Sequence, residues 1–218
     1  MQSHCLYTCH AVIRSYTPEL LMMRYTYGKI SSHLFDLRAG KSLHVRGPVG
    51  HFKYPLNMYG SIGLICGGTG LTPCLQVIRE ILEGAHADKE DTKLVTLYQN
   101  RTQVDTLVRD SLCALQEQYS HRLQVFFYLS SPSEAGGRHH NKRRGYITGA
   151  CMQALLPYKN TDLEGLCGPS GFNEAMARQL QSVAWASTMT PSYTCCGSQP
   201  PGLQATLLAS RRAGPVQQ

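Results

Sequence analysis

The hydrophobic rhythm of the chain changes near Met58. Before it, short extended segments alternate with turn residues. Ala11–Ser15, Leu20–Tyr25 and Ser42–Arg46 are expected as antiparallel strands, with a short helix over Ile30–Leu37 between two of them. After it, apolar runs alternate with amphipathic stretches. Ile62–Cys66, Leu94–Tyr98, Leu123–Leu129 and Leu163–Leu166 read as strands, and Pro73–Glu83, Val104–Tyr119, Gly149–Leu156 and Asn173–Val183 as helices. Strand–helix alternation implies crossover connections, a parallel sheet and helices on both of its faces. From Thr190 onward neither period survives. Pro191, Cys195-Cys196, Pro200-Pro201 and Arg211–Pro215 leave residues 191–218 as an expected disordered tail. The expected division is therefore 1–58, 59–190 and 191–218.

The strand-like run Ser61–Cys66 opens directly into Gly67-Gly68-Thr69-Gly70-Leu71-Thr72-Pro73. Leu75, Ile78 and Leu82 then recur at helical spacing, with Gly84 as a stop. Thr72 is expected to cap this helix and Pro73 to occupy its first turn, where no N–H is needed. Glycines at such a junction let a ligand approach the backbone, and the helix start favours an anion. A turn of this kind also arises for geometry alone. Ligands on parallel sheets bind beyond the carboxyl ends of strands, and Cys167-Gly168-Pro169 falls on the same rim. Two glycine-containing turns on one rim favour the binding reading.

Composition narrows the class. The 218 residues suit one large domain or two small ones, and 42% hydrophobic with 16% charged content supports a packed core. The net charge is +7, but its clearest cluster, Arg138–Arg144, lies in a Gly/Ser/Pro-rich loop. That pattern fits a solvated loop, or one meeting an acidic partner or a phosphate, better than nucleic-acid binding. Of nine cysteines, Cys66, Cys74 and Cys113 fall at apolar or helical positions. No paired CxxC spacing is present, and His4-Cys5 and Cys9-His10 lack a second ligand pair, so no metal site is expected. A reducing compartment is the simpler inference. The nine histidines have no obvious acid–base partner, and most are expected at the surface. No signal-peptide pattern and no apolar run of membrane-spanning length is found.

Four motifs in order carry a resemblance. Arg14-Ser15-Tyr16-Thr17-Pro18 resembles the RxYT/S flavin signature of the ferredoxin–NADP reductase superfamily, and Gly28-Lys29-Ile30-Ser31 its GKxS motif. Gly67–Pro73 resembles the nicotinamide-nucleotide loop and Cys167-Gly168-Pro169 the closing nucleotide motif. The wording HVRGPVGHFKY followed by GGTGLTPCLQVIREIL is most similar to the NADH–cytochrome b5 reductase family. The resemblance runs from about Ile13 to Ser187.

The resemblance implies an α/β chain in which a partial antiparallel β-barrel, binding flavin, precedes a parallel-sheet, Rossmann-like nucleotide domain. The implied cofactors are FAD and NADH or NADPH. A hydride would pass from nicotinamide to flavin, and electrons onward to an acidic haem protein such as cytochrome b5. Arg14 would pair with flavin phosphate, Tyr16 pack on the isoalloxazine ring, Thr17 bond its polar edge, and Pro18 end the strand. Gly28, Lys29, Ile30 and Ser31 would hold the pyrophosphate at a helix start. Read without the resemblance, Ser31 is a simple N-cap. Thr72 would face the flavin. Gly67, Gly68, Thr69 and Gly70 would cradle the nicotinamide nucleotide, while Cys167, with Gly168 and Pro169, would lie near the nicotinamide. Thr72 and Cys167 are thus the implied catalytic positions, and no acid–base triad is required.

Where the family carries an acidic residue after its third sheet strand, favouring NADH, this chain has Leu129-Ser130-Ser131-Pro132. Arg138 and Arg143 lie downstream, so NADPH use is an expectation as well. Only thirteen residues precede Arg14, fewer than the family's first barrel strands need, and Pro191 interrupts its last strand. The alternative reading is a truncated, inactive nucleotide-binding remnant or interaction protein. A fragment of a flavin-containing nitrate reductase or another multidomain reductase shares the same motifs. The expected compartment is the cytoplasm, with attachment to endoplasmic reticulum or mitochondrial outer membrane requiring a segment that this chain lacks.

Overall fold

Strand β1 (Ser61–Gly67) is buried at every position and lies at the centre of a single sheet. A computed structural model describes residues 27–42, 54–131, 141–156 and 163–182, with the short strands 193–195 and 208–209. After helix α1 (Lys29–Phe35), the order is β1, α2 (Leu71–Glu83), β2 (Lys93–Asn100), α3 (Arg109–Gln118), β3 (Leu123–Leu129) and β4 (Lys142–Arg144). Then follow α4 (Gly149–Leu155), β5 (Leu163–Cys167), α5 (Ser170–Ser182), β6 (Tyr193–Cys195) and β7 (Leu208–Ala209). The sheet runs β4-β3-β2-β1-β5-β6, all parallel, and β7 pairs antiparallel with β5.

Alternation along the strands divides the core between two faces. Ile62, Leu64 and Cys66 of β1 pack with Leu75, Ile78 and Leu82 of α2 and Leu112 and Leu115 of α3. Ile65 points the other way, into a layer with Met152 of α4 and Met176 and Leu180 of α5. Helices therefore cover both faces, as the alternation predicts. The segment leading into β1 is tied down by polar contacts. Glu90 accepts from the Asn57 N–H at 2.9 Å and from the Thr92 N–H at 3.1 Å. Thr92 Oγ1 lies 2.5 Å from both the Tyr59 carbonyl and the Glu90 carboxylate, and 2.7 Å from the Tyr54 hydroxyl.

The sequence expectations hold for α1, β1, α2, β2, β3, α4, β5 and α5 within a few residues, and differ for α3, β4 and the tail. Helix α3 starts at Arg109, not Val104, because residues 102–107 bond locally instead. Thr102 donates its N–H and its hydroxyl to Asp105 Oδ2 at 3.0 and 2.6 Å, and Thr106 donates to the Thr102 carbonyl at 3.1 Å. Val108, at φ 43°, then marks the helix start. The basic segment expected as a loop contributes β4, a charged edge strand pairing Lys142–Arg144 with Phe127–Leu129. The tail expected to be disordered contributes β6 and β7, because the outer side of β5 offers an unpaired edge. The expected strands Ala11–Ser15 and Leu20–Tyr25, and all of Ser42–Arg46 but its first residue, lie outside the described residues. So does Trp185 with the segment up to Pro191. No described helix is long and apolar enough to cross a membrane.

Candidate functional site

The chain's path across the sheet reverses at β1: β2 lies on one side of it and β5 on the other. Such a reversal leaves a crevice outside the carboxyl ends of the two diverging strands. Here those ends are Gly67 and Cys167, with Cys66 directly opposite Cys167 in the ladder. The Gly67–Pro73 and Cys167–Pro169 motifs thus meet at one place.

The turn after β1 is shaped by glycine at two positions. Gly68 has φ +54°, which a residue with a Cβ adopts only at a cost, and the space beyond it is open. Gly70 is needed for contact instead: a Cβ there would overlap the Cys167 carbonyl carbon and oxygen. The turn residues Gly68–Gly70 form a tight 3-10 helix that feeds into α2 without a break. Consequently Gly70, not Thr72, is the N-cap of α2. Thr72 lies inside the first turn, buried, and its hydroxyl donates to the Thr69 carbonyl at 3.1 Å. That bond closes the turn on itself.

Across the crevice, Cys167 is only 2% exposed and belongs to the core layer under α2. Gly168 follows, and its carbonyl accepts from Asn173 Nδ2 at 2.9 Å. The Phe172 ring lies against both loops: a Cβ on Gly67 would come within 3.0 Å of it, and one on Gly168 would overlap it. Pro169 is exposed just before α5. The sequence reading missed Phe172, because a single aromatic at a helix start carries no pattern.

Two neighbouring side chains of β2, also missed, hold the rim. Tyr98 is buried, and its hydroxyl donates to the Gly68 carbonyl at 3.2 Å while accepting from the Leu107 N–H at 3.2 Å. Burial, with the nearby Cys66 thiol, pushes its ionisation well above the usual tyrosine range. Gln99 reaches the other way. Its Oε1 accepts from the Ile147 N–H at 2.9 Å, and its Nε2 lies 3.2 Å from the Gly145 carbonyl and 3.4 Å from that of Tyr128. The rim is thereby continuous from Gly68 to Ile147. Beyond it stand Arg143 and Arg144, and Tyr146, which is 70% exposed. Ser130 and Ser131 bond through their N–H groups to the carbonyls of Asn100 and Arg101, at 3.1 and 2.8 Å.

The expected flavin residues are only partly described. Arg14, Tyr16, Thr17 and Pro18 lie outside the described residues. Gly28 is the N-cap of α1, with Lys29, Ile30 and Ser31 as its first turn. Ser31 is therefore not an N-cap: it is buried, and its hydroxyl donates back to the Gly28 carbonyl at 3.1 Å. The described histidines, His33, His86 and His121, are exposed. Cys66, Cys74, Cys113, Cys151 and Cys167 are thiols and form no disulfide.

A parallel sheet wrapped on both faces, with an open glycine turn at its reversal point, defines a Rossmann-like nucleotide-binding domain. The oxidoreductase NAD-binding domain family matches residues 64–178 and the oxidoreductase FAD-binding domain family residues 4–54. NADH–cytochrome b5 reductase 1 of Arabidopsis thaliana is 34% identical over 191 residues, covering 82% of this chain and 65% of that protein. Its namesake in Laccaria bicolor is 33% identical over 188 residues, covering 80% and 58%. The chain thus spans less than two thirds of these relatives' length. The crystal structure of the cytochrome b5 reductase domain of Ulva prolifera nitrate reductase superposes with a TM-score of 0.63 at 29% identity, covering 72% of this chain and 62% of that one. The CS-b5R domains of human Ncb5or, in an NAD+ form, give a TM-score of 0.63 at 27% identity, covering 76% and 45%. The chain belongs to the oxidoreductase NAD-binding domain family, and its relatives are named NADH–cytochrome b5 reductases.

Proposed function

We propose that this chain is an FAD-dependent NAD(P)H oxidoreductase that passes electrons to an acidic haem protein such as cytochrome b5. The observation that carries the reading is the contact between Gly70 and the Cys167–Gly168 peptide, which joins the two glycine turns at the sheet's reversal point. Bound FAD supplies the chemistry that accepts a hydride and releases single electrons. The chain's own residues bind and orient. Gly67, Gly68, Thr69 and Gly70 offer main chain to the dinucleotide pyrophosphate, and the open space beyond Gly68 fits such an approach. Cys167, Gly168 and Pro169 border the nicotinamide side, with Cys167 shaping the floor from the core. Thr72 holds the turn closed toward the flavin. Arg14, Tyr16, Thr17 and Pro18, with the α1 start at Gly28, Lys29, Ile30 and Ser31, bind FAD.

In this reading residues 1–58 form the flavin unit, as a partial barrel, residues 59–190 the nucleotide unit, and the remainder a tail that adds two edge strands. The net charge of +7 suits an acidic partner through electrostatic steering. The described thiols fit a reducing, cytoplasmic setting. No observation on the described residues favours an inactive remnant.

NADPH is proposed beside NADH on a specific observation. The strip after β3 is Ser130-Ser131, with Arg101, Arg143 and Arg144 exposed around the same rim. A 2′-phosphate meets cations there and no carboxylate from that strip. The test is reduction of cytochrome b5 by the full chain with added FAD, using NADH and NADPH in parallel. Turnover with either nucleotide supports the reading, and a large NADH preference removes the NADPH part. No turnover by a folded, flavin-loaded protein contradicts the acceptor.

A further inference from the structure

The FAD-binding family match ends at residue 54 and the NAD-binding match begins at residue 64, so residues 55–63 join the two units. This junction opens on a turn closed by the Met58 N–H on the Pro55 carbonyl at 3.1 Å. Asn57, third in that turn, has φ 52°, a left-handed conformation that asparagine tolerates. From there it bonds three times to the loop before β2. Its N–H donates to Glu90 Oε2 at 2.9 Å, its Nδ2 donates to the Lys89 carbonyl at 2.7 Å, and its Oδ1 accepts from the Asp91 N–H at 2.9 Å. Tyr54, where the FAD-binding match ends, adds a fourth tie through its hydroxyl to Thr92 Oγ1 at 2.7 Å.

The loop that receives these bonds is itself anchored. Arg122, just before β3, donates to the carbonyls of Ile81, Ala87 and Thr92 at 3.0, 3.2 and 3.5 Å. One such bond is weak, but four directed at one anchored loop constrain the direction in which the chain enters the nucleotide unit. This latch lies at the amino ends of β1 and β2, while the crevice lies at the carboxyl end of β1. A strand of that length spans about 20 Å, so a swing of about 10° at the latch displaces a group held over the crevice by roughly 3 Å. A misplacement of about 1 Å is enough to cost on the order of a hundredfold in rate.

We propose that Asn57 is a positioning residue for hydride transfer, acting through the latch to set how the flavin unit is held against the nicotinamide crevice. The inference rests on the functional reading above. The latch and the Gly67–Gly70 turn lie at opposite ends of β1, so loss of the latch changes the rate and spares nucleotide affinity.

The test compares the full chain with Asn57→Gly, which keeps the left-handed turn accessible and removes the two side-chain bonds. Hydrogen exchange read by peptide mass spectrometry, with no cofactor added, reports the latch itself. Peptides covering residues 54–60 and 89–92 are expected to exchange about tenfold faster in the variant. With FAD loaded, flavin content and nucleotide affinity should match the native chain, while flavin bleaching at saturating NADH or NADPH slows about tenfold or more. Tyr54→Phe, which keeps the ring, is expected to act in the same direction with a smaller effect. Unchanged exchange in Asn57→Gly, bleaching just as fast with the latch open, or a loss confined to nucleotide affinity overturns the proposal alone. A native chain that holds no flavin, or whose flavin neither nucleotide bleaches, overturns the functional reading and this inference with it.

Discussion

Gly70 and Cys167 meet backbone to backbone: the space where a Gly70 side chain would begin is filled by the Cys167 carbonyl. The two residues are almost a hundred positions apart in sequence, yet they fuse the turns after β1 and β5 into one structural unit. A nucleotide bound as proposed would therefore meet a single preformed surface. The dipole of α2 and the main chain of both loops would face it together.

Gly70→Ala should accordingly cost stability and affinity together. Forcing the loops apart is expected to destabilise by about 1–3 kcal/mol, as overpacking of a tight contact does. Gly171→Ala is the control, because a Cβ there meets nothing within 4 Å and Gly171 lies in α5. Relief of helical glycine should leave it neutral or up to roughly 1 kcal/mol more stable. Urea unfolding of both variants, beside NADH titration, checks the contrast.

Tyr98→Phe removes a hydroxyl that serves Gly68 on one side and Leu107 on the other. Leaving those part-buried groups without their partner is expected to cost about 1 kcal/mol. The glycine turn also loses its tether to the segment before α3. Weaker NADH binding, measured by fluorescence at a temperature where the variant stays folded, is the expected companion effect.

Stability should fall in acid through Glu90. Burial pushes its carboxyl up, but bonds from Asn57, Thr92 and Tyr54 outweigh burial and hold it below the usual glutamate value. The unfolded chain therefore binds the proton more readily than the folded one. The contribution is complete above the ordinary glutamate value of about 4.3 and is lost as pH falls through the depressed folded value. Urea midpoints between neutral and acid pH should show a steeper drop for the native chain than for Glu90→Gln, with the variant already weaker at neutral pH. The same burial pushes Tyr54 up to about 12.

Ser130→Asp tests the nucleotide preference. A carboxylate at the end of β3 would repel a 2′-phosphate and offer an acceptor to ribose hydroxyls. NADPH affinity is expected to drop about tenfold relative to NADH, equivalent to about 1.4 kcal/mol. Paired titrations with the two nucleotides read this directly, and an unchanged ratio would place the adenosine end elsewhere.

Much of this was legible in the sequence where one signal dominated. The apolar run Ile62–Cys66 could only be a buried strand, and Leu75, Ile78 and Leu82 marked α2 by spacing alone. The start of α3 was not legible, because Thr102 and Asp105 bond to each other and compete with helix formation over a stretch whose periodicity looks helical. Strand β4 was hidden for a different reason. Three basic residues carry no apolar alternation, and their place beside β3 comes from pairing with an edge. At the site, the glycine motifs announced the crevice, but its supports did not. Tyr98, Gln99 and Phe172 act through contacts across the sheet, which local patterns do not encode.

The most direct measurement is the visible spectrum of the purified full chain after excess FAD is removed, followed by anaerobic addition of NADH or NADPH. The account predicts near-stoichiometric bound flavin whose visible band bleaches on adding the nucleotide. A folded chain that retains no flavin, or one whose bound flavin is not bleached by either nucleotide, would contradict it.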